Sequence, residues 1–116
     1  MKPVTIETIH KALEKSWSIH SSTKWREDNP ALGQCGVTAM VVQDHLGGEI
    51  LKTKYGDIWH FYNLIDETPI DFTKSQFEAP LDYDNHLSTR DEAFSDTNSQ
   101  QYSHLSTAVQ QCLNDD

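Results

Sequence analysis

Only two of the 116 residues are cysteine, Cys35 and Cys112. Two cysteines so far apart cannot build a disulfide scaffold, and in a reducing cytosol both are expected as free thiols. No stretch approaches the roughly 20 apolar residues that cross a bilayer. The opening MKPVTIETIH lacks the charged-then-apolar layout of a secretory signal. The expected location is therefore the cytoplasm, with no membrane partner. The histidines (His10, His20, His45, His60, His86, His104) show no close metal-ligand spacing. Gly47-Gly48 lacks the Lys-Ser or Lys-Thr of a phosphate loop. No metal and no cofactor is expected. Basic residues are scarce in the second half, where Lys74 and Arg90 stand against eleven of the 18 acids. Residues 1–63 are neutral, so the net charge of −9 belongs to 64–116. Such a chain is repelled by phosphate backbones and anionic lipids, which argues against nucleic acid. The acidic half reads as a solvated surface or as a face toward a basic partner.

What is present suffices for one domain spanning 1–116, since three Trp, four Tyr and four Phe supply large burial. Val4, Ile6, Ile9, Leu13 and Trp17 recur at helical spacing, so 4–16 is expected as a helix with Thr5 as N-cap. Residues 18–33 read as loop anchored by Trp25, with Gly33 allowing a sharp turn. A second helix is expected from Gln34 or Cys35 to Leu46, buried on most sides and stopped by Gly47-Gly48. Strands are expected over 49–54, 58–65 and 70–73, joined by tight turns into an antiparallel meander. One helical turn is expected at 74–77, an irregular acidic segment at about 79–97, and a last helix over 98–113. The fold class is α+β: a core helix that starts at a cysteine and packs on a small antiparallel sheet, with N- and C-terminal helices.

The candidate chemistry centres on Cys35. A thiol at the N-terminus of a buried helix meets unpaired N–H groups and the helix dipole, which favour the thiolate. His60, mid-strand between Trp59 and Phe61, is the candidate base, and Asp71 on the next strand could hold its second nitrogen. If the turn centres on Glu67, Asp71 pairs near Asn63 and faces away from His60, whereas a turn one residue later or a bulge brings them to one face. Register alone leaves the triad open. Gln34 or Asn29 could donate to an oxyanion beside the Cys35 N–H, or could simply fix the loop. Equally, Cys35 could be a small core residue, His60 a structural histidine and Asp71 a turn cap. Cys112 reads as packing.

The run Asn29-Pro30-Ala31-Leu32-Gly33-Gln34-Cys35, with Val37-Thr38-Ala39 and Val41-Val42-Gln43-Asp44 leading to Gly47-Gly48-Glu49-Ile50-Leu51, resembles the YunG-like family of small bacterial proteins. So do His60 with Tyr62-Asn63, Ile70-Asp71-Phe72-Thr73, Gln76-Phe77, Ser16-Trp17, and Tyr102 with Leu105. A wider likeness is to transglutaminase-like and papain-like folds, where a Cys opens a core helix and His and Asp follow on neighbouring strands. That likeness implies a triad of Cys35, His60 and Asp71, with Asn63 as rival orienting residue because the gap from His60 to Asp71 is short. Two functions follow as expectations. One is a cysteine-dependent acyl-group enzyme (amide hydrolase, deamidase or acyltransferase) acting on a peptide or small-molecule amide. The other is a non-catalytic binding module on the same scaffold, with a cleft around Trp17, Trp25 and Trp59. The sequence does not set the oligomeric state.

Overall fold

The computed structural model describes residues 3–115. Helix α1 (Ile6–Ser16) opens on Thr5, whose hydroxyl accepts the Thr8 N–H at 3.1 Å while the Thr8 hydroxyl accepts the Thr5 N–H at 2.8 Å. This reciprocal cap satisfies two backbone donors left over at a helix start. Helix α2 (Cys35–Leu46) begins at the expected cysteine, and every residue from Cys35 to Val42 is buried. Strands β1 (Glu49–Tyr55) and β2 (Ile58–Ile65) form a hairpin in which Thr53 pairs with His60 and Ile50 with Asn63. Strand β3 (Thr68–Ile70) pairs with β2, and β4 (His86–Ser88) with β1. The sheet is antiparallel with order β3-β2-β1-β4. Helices α3 (Arg90–Phe94) and α4 (Ser99–Asp115) close the chain. No described helix is long and apolar enough to cross a membrane.

The expected α+β layout is present, with two corrections. The third strand covers 68–70 rather than 70–73. Asp66 and Glu67 alone form the hairpin turn, both with left-handed φ (50° and 67°), as a two-residue hairpin requires. Pro69 is tolerated because β3 lies at the sheet edge. The second correction concerns 79–97, which is not wholly irregular. His86–Ser88 adds a strand to the open side of β1, and Thr89 caps α3 by accepting the Glu92 N–H at 3.1 Å.

The larger core joins Ile9 and Leu13 of α1, Val37, Val41 and Val42 of α2, and Leu105 and Val109 of α4. A smaller cluster places Cys35, Ala39 and Met40 against Ile50, Phe61 and Ala93. Side chains alternate along β2, so Phe61, Asn63 and Ile65 face α2, while His60 and Tyr62 turn to the other side of the sheet. That second side is roofed by the chain from Phe77 to Asn85: His60 meets the Phe77 ring at 4.9 Å, and the Tyr62 hydroxyl donates to Asn85 Oδ1 at 2.6 Å.

Candidate active site

The site forms where β3 runs out. β3 covers β2 only over Asn63–Ile65, so the same edge of β2 at His60 and Phe61 has no neighbouring strand. Continuing the register by one residue sets Asp71 beside Tyr62, on the face His60 shares. The turn centre lies between Asp66 and Glu67, half a residue before the position that would have separated them. His60 Nε2 and Asp71 Oδ2 stand 2.7 Å apart, with side chains 2% and 5% exposed.

Asp71 is held from three sides. Its Oδ1 accepts the Thr73 N–H at 3.0 Å and the Thr73 hydroxyl at 3.2 Å, so it does cap the following turn. Its Oδ2 accepts the Tyr83 hydroxyl at 2.7 Å as well as His60. Burial pushes the Asp71 carboxyl up, but the His60 hydrogen bond and charge, Tyr83 and the Thr73 N–H outweigh it and hold the group below the usual carboxylate range. Burial and the Asp71 carboxylate push the Tyr83 phenol well up, so Tyr83 stays a donor. An ionised Asp71 accepts only. It therefore fixes the His60 proton on Nε2 and leaves Nδ1 free to take a second one.

Cys35 and His60 line one cleft of about 180 Å³, Cys35 from the head of α2 and His60 from the end of the sheet. Leu32, Trp59 and Phe77 give it apolar walls, and Tyr55 and Ile58 flank its mouth, with Ile58 58% exposed. A larger cleft of about 560 Å³ lies beyond Asp71, lined by Ile6, His10, Phe72 and Tyr83, and has neither Cys35 nor His60 in its wall.

The thiol itself departs from expectation. Cys35 Sγ donates to Asp96 Oδ2 at 3.4 Å, and the same oxygen accepts the Gly36 N–H at 3.3 Å. No hydrogen bond joins Cys35 to His60 among the described residues. Burial, then the Asp96 charge, push the thiol far up; the Phe61 backbone N–H opposes them, while the Asp96 hydrogen bond and Asp71 add to the rise. The helix start thus does not leave a thiolate here: burial dominates, the Asp96 charge adds to it, and the Gly36 N–H is given to that carboxylate.

The remaining candidates separate. Gln34 is fully buried and donates from Nε2 to the Ser18 carbonyl at 3.3 Å, so it offers nothing to an oxyanion in the cleft. Asn29 donates to the Gln76 carbonyl at 3.2 Å and fixes the loop. Asn63 lies on the α2 side and donates to the Ala39 carbonyl at 3.0 Å, so Asp71 is the residue that holds His60. Trp17 is buried, its Nε1–H donating to Thr38 Oγ1 at 2.9 Å, and Trp25 packs against the larger core. Of the three tryptophans only Trp59 lines the cleft, which corrects the three-tryptophan pocket. The bond from Asn63 ties helix to sheet, so Asn63→Ala is expected to cost about 1–3 kcal/mol by leaving the buried site short of a donor. Chemical denaturation of the two proteins checks this.

Three residues were absent from the sequence-based site. Gln76 lines the cleft, accepts the Gly33 N–H at 3.3 Å on Oε1 and donates to Thr73 Oγ1 at 3.1 Å, linking the loop before Cys35 to the turn held by Asp71. Tyr83 is the third partner of Asp71. Asp96 is exposed, as the acidity of its stretch suggested, yet its carboxylate also reaches Cys35 and Gly36.

Fold and site together define a small α+β domain with a thiol-bearing cleft at the end of its sheet. Its kinship is specific. The chain matches the family model described as YunG protein over residues 5–114. It is 51% identical over 109 residues to the Bacillus subtilis (strain 168) protein named Uncharacterized protein YunG, covering 94% of this chain and 95% of that one. The chain belongs to the YunG family. No solved structure matches it.

Proposed function

We propose that the cleft carries out cysteine-dependent acyl-group chemistry on an amide or thioester, as the order of Cys35, His60 and Asp71 in transglutaminase-like and papain-like enzymes suggests. The observation that carries this reading is the buried His60–Asp71 pair at 2.7 Å, with His60 in the wall of the cleft that Cys35 heads. In the reaction the proton on Cys35 Sγ passes to His60 Nδ1, and sulfur bonds to the acyl carbon. His60 then returns the proton to the leaving amine or thiol as its bond to the acyl carbon breaks. Water or an amine next attacks the thioester, His60 taking its proton, and Cys35 is released with the proton restored. Asp71 is a positioning residue that keeps the ring oriented and stabilises its charged form. The apolar walls suit the side of a peptide or a small amide, and a reducing cytoplasm would keep Cys35 a thiol.

The test is pre-steady-state hydrolysis of p-nitrophenyl acetate. Wild type and Cys112→Ser are expected to release a burst of nitrophenol close to one equivalent per chain, and Cys35→Ser none. Equal release from Cys35→Ser and wild type would overturn the reading. A second reading is favoured by one observation, the clasp of the Cys35 thiol by Asp96: a binding module in which Cys35 serves packing. It forecasts no burst from any of these proteins.

A further inference from the structure

Asp96 sits on the link between α3 and α4, yet its carboxylate reaches the first turn of α2. The approach is built in at Gly36. A Cβ there would meet Asp96 Cβ at 2.8 Å and the Ala93 carbonyl oxygen at 2.6 Å, so any other residue would push the link away. One oxygen, Oδ2, takes both the thiol hydrogen of Cys35 and the Gly36 N–H. A carboxylate in that position uses the helix-start donor that would otherwise favour a thiolate, and it sets a like charge against any thiolate that forms. The other charged groups bearing on Asp96 are Lys24 and His60, both of which favour its ionised form, while burial opposes it more strongly.

We infer that Asp96 is a restraining residue of this site: it accepts the hydrogen bond of the Cys35 thiol, keeps the proton on sulfur and holds back the nucleophile while the cleft is empty. The inference rests on the acyl-chemistry reading for its consequence, though the contact itself does not. Once the Asp96 charge is removed or turned aside, the thiol loses its acceptor and the like charge beside it, and the Sγ proton can pass to His60.

The experiment is iodoacetamide labelling of the intact protein at neutral pH, with Cys35 and Cys112 separated by peptide mapping. Asp96→Asn and Asp96→Ala are each expected to raise the Cys35 labelling rate at least about tenfold, one pKa unit of thiol being a tenfold change in thiolate, and to leave Cys112 unchanged. A folded variant of either kind, by thermal melt, whose Cys35 rate is unchanged or lower overturns the inference. His60→Gln in the Asp96→Asn background separates the two claims. If Asp96→Asn raises the rate and His60→Gln removes none of the gain, the restraint stands and the His60 role fails. If Asp96→Asn has no effect while His60→Gln slows the wild-type protein, the restraint fails and the His60 role stands.

Discussion

Asp71→Ala is expected to lower the unfolding free energy by about 3–5 kcal/mol at neutral pH, because it removes a carboxylate that accepts hydrogen bonds from His60, Tyr83 and Thr73, each worth about 1.5–3 kcal/mol when the acceptor is charged and not fully additive. The loss is large because His60, 2% exposed, and the Tyr83 hydroxyl share the same carboxylate oxygen. The turn at Thr73 loses its cap as well. The sign of the pH dependence follows from the lowered Asp71 carboxyl. A carboxyl held lower in the fold than in the unfolded chain contributes stability fully above the unfolded value of about 4, and loses it as pH falls through the folded value. The gap between wild type and Asp71→Ala should therefore be flat through neutral pH and narrow below about pH 4. Urea unfolding across that range measures it. A gap that widens in acid would mean that Asp71 is not the ionised partner described.

The second large effect concerns rate. His60→Gln keeps a polar side chain beside Asp71 but removes a ring that can accept and return a proton. Acylation of Cys35 by p-nitrophenyl acetate is expected to fall by about 10²–10⁴-fold, the usual contribution of a positioned acid–base group. A purely structural His60 would instead lower the melting temperature and leave the acylation rate per folded molecule unchanged. Measuring both quantities on the same sample distinguishes the two.

Much of the fold was legible because it rests on local rules. The helical spacing of Ile9, Leu13 and Trp17, the cap at Thr5 and the Gly47 stop each act within a few residues, and α1 and α2 fall where these signals lie. The order Cys35, His60, Asp71 was also readable, and the structure joins the last two. The register was missed by half a residue, since the left-handed conformation of Asp66 and Glu67 is imposed by the hairpin and neither residue announces it as glycine would. Strand β4 was missed because a three-residue strand has too little alternation to show and is fixed by the open side of β1. Asp96 was beyond local reasoning altogether: it meets Gly36 across 60 residues of chain. Its only trace in the sequence is Gly36 itself, a glycine inside the first turn of a buried helix, where propensity alone disfavours it.

Net charge takes on a narrower meaning. Most of the acids after residue 63 are exposed, Asp96 among them, whereas the Asp71 side chain is buried, and these two bracket the cleft chemically. One is held ionised and supports the base. The other, by the inference above, restrains the nucleophile.

The most direct test of acyl chemistry at Cys35 is to find where an acyl group lands. Wild-type protein is treated with p-nitrophenyl acetate, quenched in acid during the burst, digested and mapped by mass spectrometry. An acetyl thioester on Cys35 is expected, absent from His60→Gln on the same timescale and removable by hydroxylamine. Acetylation confined to Cys112 or to lysines, with Cys35 unmodified in a folded protein, would contradict it.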